Sequence, residues 1–230
     1  MTDEVSERRY VQALALGLAP GWRLLSERER CEDAAAFCQA VDRARGVTTF
    51  SYSMIGLRPG VELLLWRLAG SLDELEEAAA SALRAGIGRH LIVVHSLLGI
   101  IQPSQYVKKP TVQEQSLFTG ERSRYLIVYP FTKTAEWYLL GQAARQGIMN
   151  EHMRVGHEYQ QVRQLLAYSF GIDDQDFLVA YETDDLAAFG NLVRDLRGTE
   201  SRRSTVRDTP ILTCVHRPLG EILGMLGAPA

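Results

Sequence analysis

The chain has 230 residues, 46% of them hydrophobic and 23% charged, and a formal net charge of -3. That is the profile of a globular protein with one sizeable core or two fused smaller ones, and it argues against disorder. Acidic and basic residues are interleaved, so there is no footprint for nucleic acid or an anionic membrane, and a small molecule or another copy of the chain is the expected partner. The N-terminal MTDEVSERRYVQALALGLAPGW has no basic segment followed by an apolar signal core. Its ALALGLA run is only seven residues, well below the ~20 that span a bilayer. No membrane insertion and a cytoplasmic location are therefore expected. Cys31, Cys38 and Cys214 match no metal-ligand spacing and are expected to be reduced structural thiols.

Strand-like runs alternate with helical patterns along the chain. The first set is Trp22 to Ser26, Cys31 to Arg45, Thr48 to Gly56, Val61 to Ala69, Leu72 to Ala85 and His90 to Ile101, which reads β-α-β-β-α-β. A polar stretch from Pro103 to Arg122 follows. The same order then returns in Tyr125 to Lys133, Gln142 to Gln161, Val162 to Gly171, Asp176 to Thr183, Leu186 to Arg197 and Pro210 to Val215. YSMIG…VELLLWRLAGSLDELEEAAASALRAG in the first half answers YSFGI…DFLVAYETDDLAAFGNLVRDLRG in the second, and Ser71 and Asp184 or Asp185 are predicted helix N-caps. The expected fold is α+β. Two fused ferredoxin-like (β-α-β-β-α-β) units, residues 1–110 with a leader segment and residues 111–230, would form a dimeric α+β barrel-type fold, because each one-sided sheet must cover its other face.

No GxGxxG, P-loop, GxSxG, HExxH or CxxC motif is present, which removes the common nucleotide, hydrolase and zinc chemistries. In the helix from Gln142, the residues Ile148, His152, Val155 and Tyr159 share one stripe, whereas His157 points elsewhere. An imidazole on an apolar stripe needs a partner, and both a hydrogen-bonded core histidine and a metal or haem ligand satisfy that need.

The second half holds a dense constellation: YPFTKTAEWYLL at 129–140, EHMRVGHEY at 151–159, VRQLLAYSFGIDDQDF at 162–177, ETDDLAAF at 182–189 and LRGTES at 196–201. Over roughly residues 123–217 their order and spacing resemble the haem-binding half of the chlorite dismutase and coproheme decarboxylase family, while the first half is similar only in fold pattern. The resemblance implies that His152 is the axial ligand to haem iron and that Glu200 accepts from the far nitrogen of its imidazole. It places Gln164 at the distal position where chlorite dismutases keep an arginine. Arg163 is adjacent but should face the other way on a strand. Tyr129 and Lys133, in Tyr-Pro-x-x-Lys, match the decarboxylase signature of a redox-active tyrosine and a lysine that holds a carboxylate. Taken alone, Tyr129 is a strand aromatic, Lys133 a strand-end charge and Glu200 a solvated helix-end residue.

Two departures stand out. The His152 to Gln164 interval is one residue shorter than in similar proteins, and the loop that carries a propionate-binding arginine in the family reads Tyr106-Val107-Lys108-Lys109-Pro110 here. Lys108 or Lys109 would bind a propionate as a point charge without the bidentate fork of arginine. The implied activity is peroxide-dependent decarboxylation of coproheme, the iron porphyrin being both cofactor and substrate. The alternatives are chlorite decomposition or haem peroxidase chemistry, and a non-enzymatic haem-binding or haem-free member of the fold. A homo-oligomer is expected.

Overall fold

The computed structural model describes residues 9–106 and 121–228. In chain order the elements are β1 (Arg9–Leu18), α1 (Glu27–Asp42), β2 (Thr48–Arg58), β3 (Val61–Ala69), α2 (Leu72–Arg84), β4 (Leu91–Ile101), β5 (Tyr125–Lys133), α3 (Ala135–Leu139), α4 (Gln142–His157), β6 (Arg163–Tyr168), β7 (Phe177–Thr183), α5 (Leu186–Leu196), β8 (Thr205–Arg207), β9 (Leu212–His216) and α6 (Leu219–Met225). Turns of 3-10 helix lie at Pro20–Leu24, Gly86–His90 and Glu200–Ser204. The content is α+β. Packing groups these elements into two compact units, Met1–Ile101 with Cys214–Ala230, and Gln102–Thr213.

The first unit is an antiparallel sheet in the order β4-β1-β3-β2, extended by pairing of β2 with the end of β9. Its first strand, Arg9–Leu18, lies upstream of the one expected at Trp22 to Ser26. The reason is burial: Ala13, Leu14, Ala15 and Leu16 are all sealed, so the strand reads as an unbroken apolar run rather than an alternation, and its Ala and Leu content hides it. Trp22 instead sits in a 3-10 turn opened by Pro20, where its ring is fully buried and its Nε1 donates to the Leu226 carbonyl at 2.8 Å. Phe37 of α1 and Ala82 of α2 pack with Leu14, Leu16, Leu63 and Leu65, and Ile222 and Leu223 of α6 close the same core. Ser26 and Ser71 start α1 and α2 with capping boxes to Glu29 and Glu74, each cap contributing about 1 kcal/mol. Gly86 has φ +46°, and a Cβ there would lie 1.8 Å from the Asp33 carbonyl oxygen, so only glycine lets this turn touch α1.

The second unit is an antiparallel sheet in the order β6-β7-β5-β8. In register, Gln164 faces Tyr181 and Tyr181 faces Ile127, while Leu166 faces Val179 and Val179 faces Tyr129. Directly paired residues share a face, so Gln164, Leu166, Tyr129 and Tyr181 all lie on one side of this sheet. That side also packs with α5, through a cluster of Ile127, Val162, Val179, Tyr181, Ala188 and Leu192. The other side carries Glu182, fully buried, which meets Arg163 at 2.9 Å and Arg122 at 3.5 Å. Asp185 caps α5 by accepting from the backbone N–H groups of Ala187 and Ala188. Cys31, Cys38 and Cys214 are free thiols, Cys214 buried. Among the described residues no helix is long and apolar enough to cross a membrane.

Candidate functional site

Helix α4 starts at Gly141 without a side-chain cap, so tertiary contacts rather than a strong N-terminal signal must hold it. Two contacts do so at the His152 turn. Glu151 Oε2 accepts from the Glu200 backbone N–H at 3.0 Å, and His152 Nδ1 lies 3.0 Å from Ser201 Oγ. Both partners belong to the 3-10 turn that follows α5, and a 3-10 turn presents successive side chains in different directions. Ser201 is buried and faces the imidazole, while the exposed Glu200 carboxylate faces Arg203 at 3.3 Å. The residue beside the far nitrogen of His152 is therefore Ser201, and Glu200 reaches α4 through its backbone.

Burial, and then the positive charge of Lys133, pull the His152 pKa down to about 4, so the imidazole is neutral at ordinary pH. With Nδ1 held by the serine, Nε2 has no hydrogen-bond partner among the described residues. His157 is exposed.

Lys133 is buried at the end of β5. Its ammonium donates to the Ser201 carbonyl at 3.1 Å and lies 4.4 Å from the centre of the Trp137 ring, a cation–π contact. Burial, and then Arg202, lower its pKa to about 8. Its backbone N–H donates to Asp176 Oδ2 at 2.8 Å, and the Tyr138 hydroxyl donates to the same oxygen at 2.7 Å. The structure thus brings Lys133 and His152 to one serine residue, Lys133 to its carbonyl and His152 to its hydroxyl. Tyr129 stacks on Tyr181, with centroids 6.0 Å apart at 23°. Burial comes first, followed by the neighbouring Tyr181, in holding the Tyr129 hydroxyl well above its usual pKa, so it remains a phenol.

Gln164 is half-buried on the same face as Tyr129, two strands away, which is about 10 Å across the sheet. Arg163 points to the opposite face, as its alternation with Gln164 requires, and is held by Glu182 and by Ser123 Oγ at 2.8 Å. Leu166 leaves 43% of its surface open on the Gln164 face. Lys108 and Lys109 lie outside the described residues. Three participants carried no signal of their own in the sequence: Ser201, Trp137 and Arg145. Arg145 stands seven residues before His152 on the same stripe of α4, and its Nε is buried with no hydrogen-bond partner.

These residues fit an iron porphyrin better than a bare ion. Among the described residues no three His, Cys, Asp or Glu side chains come together as a metal cluster. A porphyrin brings four nitrogens of its own and asks the protein for one axial donor. His152 Nε2 is such a donor, neutral and unpartnered, with its other nitrogen held as second-shell partners of ligating histidines usually hold it. The orphaned Arg145 Nε on the same stripe suits a carboxylate at the rim of such a group.

The sequence model for the family described as Chlorite dismutase matches residues 27–217. The chain is 28% identical over 207 residues to the coproheme decarboxylase of Mycolicibacterium smegmatis, covering 89% of this chain and 88% of that protein. It is similar in structure to a mutant chlorite dismutase from Candidatus Nitrospira defluvii, with a TM-score of 0.87, 30% identity and 95% of each chain covered. The chlorite dismutase of that organism in complex with imidazole gives 0.86 at the same identity and coverage. With well over half of its 230 residues inside the family match, this chain belongs to the chlorite dismutase family.

Proposed function

We propose that this protein is a coproheme decarboxylase that uses hydrogen peroxide to convert two propionates of coproheme III into the vinyl groups of haem b. The observation that carries the reading is that Tyr129 lies on the same face of the second sheet as Gln164, in a unit where His152 offers an unpartnered nitrogen. The likeness to a coproheme decarboxylase supports it. The β-α-β-β-α-β element order of the first unit and its strand order β4-β1-β3-β2 support the ferredoxin-like reading of the duplicated fold.

When bound, the porphyrin iron supplies the redox chemistry with peroxide. In each round one propionate, one peroxide and one proton give one vinyl group, one carbon dioxide and two waters. The chain supplies position. His152 would hold the iron through Nε2, with its ring oriented by the contact of Nδ1 with Ser201 Oγ. Because Tyr129 stays protonated, it can deliver and take back a hydrogen atom as a phenol. Gln164 offers a neutral amide that can hydrogen-bond to a bound oxidant but cannot hold an anion as a cation would. The Lys133 ammonium already donates to Ser201 and sits on Trp137, so its first task is to fix the support behind His152. Lys108 or Lys109, together with Arg145, would receive propionates.

Chlorite decomposition is the second reading, favoured by the chlorite dismutases among the similar structures. Tyr129→Phe separates the two. The mutant should fold and bind coproheme, with a stability loss of about 1 kcal/mol for one hydrogen bond. Its yield of mono- and divinyl product with peroxide, read by mass analysis of the porphyrin, should fall by about a thousandfold or more, roughly 4 kcal/mol of barrier. Wild-type protein that binds coproheme and makes no vinyl product would end the decarboxylase reading. Oxygen release from chlorite that is unaffected by the mutation would establish the rival.

A further inference from the structure

The first unit contains a cavity of about 430 Å3 between α2 and its sheet, lined by none of the residues assigned a role above. That volume falls in the roughly 300–1,000 Å3 range of small-molecule sites. Apolar side chains, among them Leu14, Leu72, Leu83 and Leu98, make up much of the wall. Its polar part comes from Gln12, Asp73, Glu76, Ser96 and Arg67, and of these Arg67 on β3 is only 2% exposed.

Arg67 is a buried cation whose protein partners are all neutral. Nε donates to Gln12 Oε1 at 3.0 Å, and Nη2 donates to Gln12 Oε1 and to the Leu75 carbonyl, the latter at 3.0 Å. Gln12 is fixed in this orientation because its Nε2 donates to Ser96 Oγ at 2.8 Å. Nη1 has no partner among the described residues and is not among the atoms sealed from solvent, and Arg67 lines the cavity. Asp73 and Glu76 also line the cavity, but both are exposed and neither forms an ion pair with Arg67. Burial lowers the Arg67 pKa only to about 10, so the guanidinium is charged at neutral pH. A buried guanidinium with no carboxylate partner, beneath an open and partly apolar cleft, is costly, and an anion that also buries an apolar chain relieves that cost.

We propose that this cavity binds a small amphipathic monocarboxylate, its carboxylate on Arg67 Nη1 and its apolar chain against the leucines. This site belongs wholly to the first unit and does not depend on the porphyrin reading. Octanoate is the probe, titrated calorimetrically into the full chain before and after coproheme loading. One site per chain with a Kd of about 1 mM or tighter is expected. Octan-1-ol, which keeps the chain and lacks the charge, should bind at least about tenfold more weakly, as should octanoate to Arg67→Met. Ala79→Phe, which places a ring in the cavity wall, should abolish binding. Coproheme affinity should be unchanged in both variants, which scores this site separately from the haem site. If Arg67→Met fails to fold by circular dichroism, Ala79→Phe and the alcohol decide the matter. Absence of saturable octanoate binding, equal binding of the alcohol, or undiminished binding to Ala79→Phe would overturn the proposal.

Discussion

His152 has two ring nitrogens with different fates, one beside Ser201 and one left for a ligand, and substitutions around it should separate accordingly. His152→Ala should abolish the five-coordinate spectrum of bound coproheme, whereas the exposed His157→Ala should leave it intact. Ser201→Ala should keep the porphyrin but shift the iron midpoint potential, because the serine orients the ring, while Glu200→Gln should shift it far less. Equal shifts in a potentiometric titration would put Glu200 back beside the imidazole. Lys133 gives a pH signature. Its folded pKa of about 8 lies below its ordinary 10.5, so folding disfavours the ammonium. That cost is fully present below pH 8 and vanishes above 10.5, so unfolding free energy should rise with pH between those values. Lys133→Met should remove this rise, as read from urea melts across the window. The residue types of this site were legible in the sequence, since His152, Gln164 and Tyr129 stand on elements close to those predicted. The Ser201 contact was not, because a register of one residue in a 3-10 turn leaves no periodic trace.

Glu182 joins two elements that sequence alternation could describe only singly. It lies on β7, it is buried, and it draws Arg163 from β6 and Arg122 from the approach to β5. Glu182→Ala would strand two guanidiniums behind the sheet, and a loss of about 3–5 kcal/mol is expected, measured by chemical denaturation. A loss below about 1 kcal/mol would mean that water reaches both arginines. The same ladder explains why Arg163 cannot stand in for a distal cation: its face of β6 is committed to Glu182. Helices with amphipathic stripes and side-chain N-caps, such as α2 and α5, were legible to within a residue or two because caps and periodicity agree. Strand β1 was missed because burial on both faces erases the alternation that marks a strand. The short α3 and β8 offered too few residues for any period to show.

On the scale of the whole molecule, apolar side chains left at the surface predict self-association. Ile92 is 56% exposed and Val94, two residues along β4, is 39% exposed, and exposed apolar surface of this kind commonly marks contact between proteins. Sedimentation should show a species larger than one chain, and Ile92→Lys should shift it toward the monomer. A wild-type monomer at every concentration would count against this expectation. Another consequence follows from the tail. Ile222, Leu223, Leu226 and Ala228 belong to the same buried cluster as Leu14 and Trp22, and Arg30 donates to the carbonyl of Gly227. The first unit therefore cannot complete its core until the ribosome has finished the second. During translation the usual order, in which the N-terminal part folds first, is reversed for the last step. Nascent β1 to β4 must wait, with one wall of their core open, for Ile222 to Ala228 to leave the exit tunnel.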